Sequence, residues 1–270
     1  MATERLTAFA ATHPVFTHEE YVAAYGRHPD RSRRTADSLL LQHTKAGTIL
    51  RVRRGLYAAI PPGATPDTFQ VDPFLLASKL APDATVAYHA ALQFRGKSYS
   101  IWNRFTVLSR AHVRALTFQG SEFATVRPPR ALAQLPDLGG GIVSEPYAGG
   151  AVRVTTFERT LVDVLDAPDL GGGWEEIWRS LEMVEYFDLD AVVAYALKLR
   201  SSVTTARVGF FLEQHREPLS VEERHLHALR ELAPRQPSYL ERRREAGRLV
   251  KSWNLVVPER VLNRAWAEVA

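Results

Sequence analysis

From Thr48 to Ile60 the chain sets Ile49, Val52, Leu56 and Tyr57 against Arg51, Arg53 and Arg54, with Gly55 near the middle. Near-alternation of apolar and charged residues around a glycine free to take a positive φ spells a β-hairpin. What precedes it is helical. Leu6, Phe9 and Ala10 recur at helical spacing, and His13-Pro14 closes that first helix, because the residue before proline is pushed out of the α region. Thr17 followed three residues later by Glu20 makes a capping box that opens a second helix, ending near Gly26. After a turn over 27–30, with Asp30 or Ser32 able to cap, a third helix runs to about Ala46 and stops at Gly47.

The third helix has two faces. At about 100° per residue, Ala36, Leu39, Leu40 and His43 fall on one side. Arg31, Arg34, Ser38, Gln42 and Lys45 line the other, with Arg33 beside them and Leu41 next to the polar stripe. Eight basic residues lie between Arg27 and Arg54 against Asp30 and Asp37, a net +6 in a chain that nets only +4. The charge is therefore local, and it coincides with a helix and a hairpin. Three helices followed by a basic hairpin predict a winged helix-turn-helix that binds double-stranded DNA. In that reading arginine grips phosphate or guanine, glutamine pairs with adenine, serine serves either, and Leu41 meets a thymine methyl or packs on the rest of the chain. The wing residues Arg51, Arg53 and Arg54 hold flanking phosphate or minor groove. The plainer reading is a small α/β unit with a solvated basic face.

A length of 270 residues favours two domains. Hydrophobic residues at 46% and charged residues at 24% exclude a disordered composition. The absence of cysteine excludes disulfides and thiolate chemistry and fits a reducing compartment. Met1 to His13 lacks a basic start followed by an apolar run, and no stretch nears the roughly 20 apolar residues of a membrane helix. The expectation is a soluble, cytoplasmic protein.

Pro61-Pro62-Gly63-Ala64-Thr65-Pro66 breaks the hairpin's alternation and predicts a boundary between a winged-helix domain over 1–62 and a second domain over 67–270. Beyond it, Asp72 to Leu80 and Thr85 to Phe94 read as helices, and Arg104 to Leu108, Glu122 to Val126, Gly141 to Ser144 and Ala151 to Thr155 as strands. Helices follow over Phe157 to Leu165, Trp174 to Tyr186, Leu189 to Arg200, Ala206 to Gln214 and Glu222 to Leu232. Strands first and helices later predict an α+β domain without a doubly wound sheet.

Signs of catalysis are missing. Thr155 with Glu158 reads as another capping box, and Arg159 with Asp163 as a one-turn ion pair, both explained by helix stability. His225 and His227, two residues apart on a helix, point about 200° apart and do not suit one metal ion. The triplets 139–141 and 171–173 lack a P-loop's Gly-Lys-Ser/Thr, and no Gly-x-Ser-x-Gly elbow is present. No enzyme activity, metal or cofactor is expected. A second basic cluster, Arg242, Arg243, Arg244, Arg248 and Lys251, precedes Trp253. With Glu241 and Glu245 interspersed it reads as a solvated helix face, the alternatives being a phosphate contact or an acidic partner.

Three stretches carry a family resemblance: Arg51-Val-Arg-Arg-Gly-Leu-Tyr57, Val154-Thr-Thr-Phe-Glu-Arg-Thr-Leu-Val-Asp163 and Arg207-Val-Gly-Phe-Phe-Leu-Glu213. Their order and spacing resemble the AbiEi family of antitoxins from type IV toxin-antitoxin systems. The resemblance implies an N-terminal winged helix that represses its own operon through inverted repeats, and a C-terminal domain that counters a nucleotidyltransferase-like toxin without necessarily forming a stable complex with it. Carried over, DNA contact falls on Arg31, Arg34, Gln42, Lys45, Arg51, Arg53 and Arg54. The cluster Arg242, Arg243, Arg244, Arg248 and Lys251 is the candidate for toxin countering or a second DNA contact. Inverted repeats imply two copies on DNA of a chain that is a monomer or weak dimer in solution. The competing expectation is a stand-alone winged-helix regulator whose second domain senses a ligand, and a more distant one is a nuclease guided by the winged helix.

Overall fold

The computed structural model describes residues 2–25, 33–241 and 245–266. The chain opens with α1 (Ala2–Thr12), which stops ahead of His13-Pro14 as the proline requires. It continues through β1 (Val15–Thr17), α2 (His18–Tyr25), α3 (Arg33–Lys45), β2 (Ile49–Arg53) and β3 (Leu56–Ala59). The three strands form an antiparallel sheet in the order β1-β3-β2. Helix, strand, two helices and a hairpin in this order make a winged helix-turn-helix. The capping box at α2 closes both ways: the Thr17 N–H donates to Glu20 Oε2 at 2.8 Å, and the Glu20 N–H to Thr17 Oγ1 at 3.2 Å. The expected turn at 27–30 and the cap candidates Asp30 and Ser32 lie outside the described residues.

Strand β1 adds to the reading from sequence, where three residues are too few to show alternation. Val15 and Phe16 are 2% and 0% exposed, and the strand pairs Phe16 with Tyr57 of the hairpin. Phe16 also joins the rings that fill this core. Phe9 lies edge-on to Phe16 at 5.0 Å and to Tyr21 at 5.6 Å between centroids. Each such pair contributes about 0.5 to 1.5 kcal/mol beyond its buried area. Leu6, Ala36, Leu40 and Ile49 complete the core from both helices and the sheet.

Next come α4 (Pro73–Ser78), β4 (Thr85–Val86), α5 (His89–Phe94), β5 (Arg104–Leu108), β6 (Leu116–Phe118), β7 (Ser121–Val126), β8 (Ile142–Tyr147) and β9 (Gly150–Thr155). The strands form a six-stranded sheet in the order β6-β7-β5-β4-β9-β8. Asp72 caps α4, its carboxylate accepting from the N–H groups of Phe74 and Leu75 at 2.9 Å. The helix expected over 85–94 is a helix only over its last six residues and begins as a two-residue strand. Thr85 and Val86 pair with Leu108 and Val107, and Tyr88, at φ +58°, separates them from α5. Periodicity does not tell a short, fully buried strand from a buried helix end.

By backbone contacts the chain forms two compact units. The first gathers Met1–Val86, Asn103–Thr125 and Ser144–Arg153, and the second Ala87–Trp102, Val126–Val143 and Val154–Ala270. The segment 61–66, expected to separate the domains, therefore lies inside the first unit. The reason is that the chain beyond it returns to the winged helix. Arg53 Nη2 donates to the Leu80 carbonyl at 3.0 Å, and Lys79 pairs with Glu20. A proline-rich run marks a break in regular structure and does not decide what docks after it.

The second unit is mainly helical after β9, with α6 (Phe157–Asp166), α7 (Pro168–Gly171), α8 (Trp174–Glu182), α9 (Leu189–Lys198), α10 (Ser202–Gln214) and α11 (Glu223–Arg230). It ends in β10 (Ser238–Tyr239), β11 (Arg248–Val250), β12 (Leu255–Val257) and α12 (Glu259–Leu262). Helix α6 packs on both α9 and α10. Its cap is Thr156, not the expected Thr155, which stays in β9 with its hydroxyl 2.7 Å from that of Thr160. Arg159 and Asp163 are 1% exposed each and paired at 3.1 Å, with Tyr195 donating to the same carboxylate at 2.7 Å. Arg159 Nη1 also donates to the carbonyls of Leu138 and Gly140, so the one-turn ion pair read from the sequence is a buried anchor, with Arg159 Nη2 left without a partner among the described residues.

The stretch Arg207 to Glu213 is equally structural. Arg207 donates to the carbonyls of Leu165, Asp166 and Leu240, and Glu213 accepts from Trp253 Nε1 at 2.9 Å. Gly209 sits so close beneath Trp253 that a Cβ would lie 2.2 Å from the ring. Of the solvated helix face expected over 241–251, residues 242–244 lie outside the described ones, and Lys251–Trp253 forms only a short 3-10 helix. Arg248 to Val250 is a strand antiparallel to β12, because Leu249 and Val250 find partners in Val256 and Leu255. Both helices and strands build the molecule, an α+β fold. Among the described residues no helix is long and apolar enough to cross a membrane.

Candidate nucleic-acid interface

Helix α3 divides as its periodicity requires. Ala36, Leu40 and His43 are buried and Leu39 is half-buried, while Arg33, Arg34, Ser38, Gln42 and Lys45 are exposed. His43 sits against Thr48, its Nδ1 at 3.2 Å from the hydroxyl, and burial pushes its imidazole below the usual value. Leu41 is 57% exposed in the midst of the polar stripe, not covered by packing. Arg31 lies outside the described residues. One acidic residue shares the exposed side: Asp37, whose Oδ1 is 2.6 Å from His18 Nε2. That pair ties the start of α2 to α3 across 19 positions, a distance at which the sequence gives no signal.

The hairpin presents its arginines unequally. Arg51, opposite Tyr57, and Arg54, in the turn, are exposed. Arg53 is half-buried, bound to the Leu80 carbonyl, and burial holds its guanidinium below the ordinary arginine value. The irregular register between Arg51 and Arg53 turns the second arginine away from the outward side. Gly55, at φ +82°, closes the turn with a backbone that a side chain would strain, and its carbonyl accepts from the His18 N–H at 2.9 Å. The wing is therefore short and its tip is pinned to the start of α2.

The same corner holds Glu20. Burial pushes its carboxyl up, but Lys79 and the Thr17 backbone outweigh that and hold it below the usual range. The capping box, the wing tip and the end of α4 thus brace one another, while Arg51, Arg54 and the polar side of α3 are exposed.

In the second unit, Arg242, Arg243 and Arg244 lie outside the described residues. Of the remaining two, Arg248 pairs with Glu259 at 3.3 Å and Lys251 is exposed just before Trp253. His225 has a local task, its Nδ1 accepting from the Glu222 N–H at 3.2 Å at the start of α11. A cavity of about 720 Å³ opens beside Trp174, lined by Asp169, Arg207, Glu241, Glu245 and Arg260.

No family model and no curated protein matches the chain. Among solved structures it is similar to the crystal structure of the RV2827C protein from Mycobacterium tuberculosis, at 17% identity and a TM-score of 0.55, over 97% of this chain and 92% of that chain. At that identity the likeness speaks to the fold.

Proposed function

We propose that the winged helix binds double-stranded DNA, with α3 in the major groove and Arg51 and Arg54 on flanking phosphate. The observation that carries this is the division of α3: Arg33, Arg34, Ser38, Leu41, Gln42 and Lys45 are all exposed on a helix whose other side is buried in a winged-helix core. An exposed leucine among cations and amides costs little in water and gains a thymine methyl in a groove.

On this basis the chain is read as a cytoplasmic, non-enzymatic antitoxin of the AbiEi type. It represses its own operon as two copies on inverted repeats, and its second unit counters a nucleotidyltransferase-like toxin. The toxin reading rests on the motif resemblance. Arg159, Asp163, Arg207 and Glu213, which carry much of it, serve packing in the second unit. Two experiments test the reading separately. A gel-shift titration with the DNA upstream of the gene should give a saturable complex that a scrambled duplex does not compete away. Co-expression with an adjacent nucleotidyltransferase-like gene should restore growth. Failure of rescue with intact DNA binding leaves a regulator alone. One observation favours a ligand-sensing regulator: the cavity beside Trp174, with Arg207 and Arg260 in its wall, has the volume of a small-molecule site.

A further inference from the structure

The wing offers two outward arginines where its sequence shows three, and what Arg53 binds instead leads to a second basic loop. Its partner Leu80 begins a short turn to Asp83, with the Ala84 N–H donating to the Ala81 carbonyl at 3.1 Å. Asp83 in turn grips the connection between β5 and β6. Its carboxylate accepts from the Ser109 hydroxyl and from the Arg110 N–H, the latter at 2.9 Å. The far end of the loop is fixed as well. Val113 and Thr125 exchange two bonds, the Val113 N–H to the Thr125 hydroxyl at 3.3 Å and that hydroxyl back to the Val113 carbonyl at 3.1 Å.

Between these two anchors stand Arg110, His112 and Arg114, all exposed, with no acidic residue from Ser109 to Ala115. Arg110 lies beside Asp83, and Arg114 has no ion-pair partner among the described residues. A clamp at each end holds its cations in place, so less side-chain and backbone freedom is lost when an anion is met. On its near side, the Leu80 to Asp83 turn meets the wing through Arg53, while Lys79 just before it meets the start of α2.

We propose that the loop from Ser109 to Ala115 is a second phosphate-holding element that grips the duplex backbone beyond the wing, through Arg114 and Arg110. This rests on the DNA-binding reading above and extends its footprint to a segment distant in sequence from the winged helix. Arg53 then acts as the positioning residue between the two, setting the distance from wing to loop.

The test uses the full-length protein and a labelled duplex of the DNA upstream of its gene, titrated at several salt concentrations. Replacement of Arg114 by alanine is expected to flatten the log-log dependence of affinity on salt by about 0.9, and the R110A/R114A variant by about twice that. Hydroxyl-radical protection should shorten on the wing side alone. The single R114A variant keeps the test intact should R110A loosen the loop at Asp83. If both variants keep the wild-type salt slope and footprint while R34A/K45A loses binding, the loop proposal is overturned and the DNA reading stands. If R34A/K45A also binds as the wild type does, the DNA reading itself falls and takes the loop with it.

Discussion

The Arg53 guanidinium donates to the Leu80 carbonyl at 3.0 Å, joining the wing to the chain beyond the proline-rich segment. Two neighbouring arginines of one hairpin are thereby given different work. Arg54, exposed in the turn, is free to meet phosphate, whereas Arg53 holds the wing in place. A hydrogen bond to a charged group contributes about 1.5 to 3 kcal/mol. R53A should therefore lower stability by an amount near the low end of that range, since the side chain is half-buried. R54A should leave stability unchanged and weaken binding alike for all DNA sequences. Denaturant melts and salt titrations of the two variants, run side by side, separate these outcomes.

The capping box at α2 gives a pH-dependent prediction. Although burial pushes the Glu20 carboxyl up, Lys79 and Thr17 hold it below its ordinary value of 4.5. A carboxyl depressed on folding binds fewer protons when folded than when unfolded, so its contribution is present above that ordinary value and is lost as pH falls through the folded one. E20Q should therefore melt below the wild type at pH 7, with the gap closing toward pH 3. T17A should cost about 1 kcal/mol at neutral pH, as lost caps do. A gap that stays constant with pH contradicts the assignment.

Arg159 and Asp163 make the second unit sensitive to single changes. Each is 1% exposed, and removing one partner leaves the other's charge buried. R159A should cost about 3 to 5 kcal/mol. The double replacement R159M/D163L should cost less than R159A alone, because no orphan charge remains. Equilibrium unfolding in urea measures both, and equal losses would argue against a buried pair.

Gly209 tests the packing beneath Trp253. A Cβ there would lie 2.2 Å from the indole, so G209A must displace the ring and break its bond to Glu213. Overpacking of this kind costs about 1 to 3 kcal/mol. The tryptophan emission of the variant should shift toward that of solvent-exposed indole.

The first sixty residues were legible because their signals are local. Thr17 and Glu20 cap, Gly55 turns, and the 3.6-residue period of α3 separates Ala36 and Leu40 from Arg34 and Gln42, all within a few positions. What escaped has partners far along the chain. Strand β1 needs β3 some 40 residues later, and the pairs His18 with Asp37 and Arg53 with Leu80 leave no trace in local pattern. The same holds for the loop at Arg110 and Arg114, which looks like ordinary surface until Asp83, 27 positions earlier, is seen to hold its start. Beyond β9 the longer helices α6 and α8 to α11 were legible by period, whereas the four-residue α7 and α12 are too short to show one. The burial of Arg159 was not legible, since an i, i+4 ion pair reads the same whether solvated or enclosed.

The measurement that bears most directly on the account is a fluorescence-anisotropy titration of the upstream duplex with R33A/R34A/Q42A/K45A, all four residues being exposed on α3. Each lost base contact costs about 1 to 3 kcal/mol, so the variant should lose specific binding while keeping the wild-type melting temperature. A folded variant that binds the duplex with wild-type affinity would contradict the assignment of α3 as the reading helix.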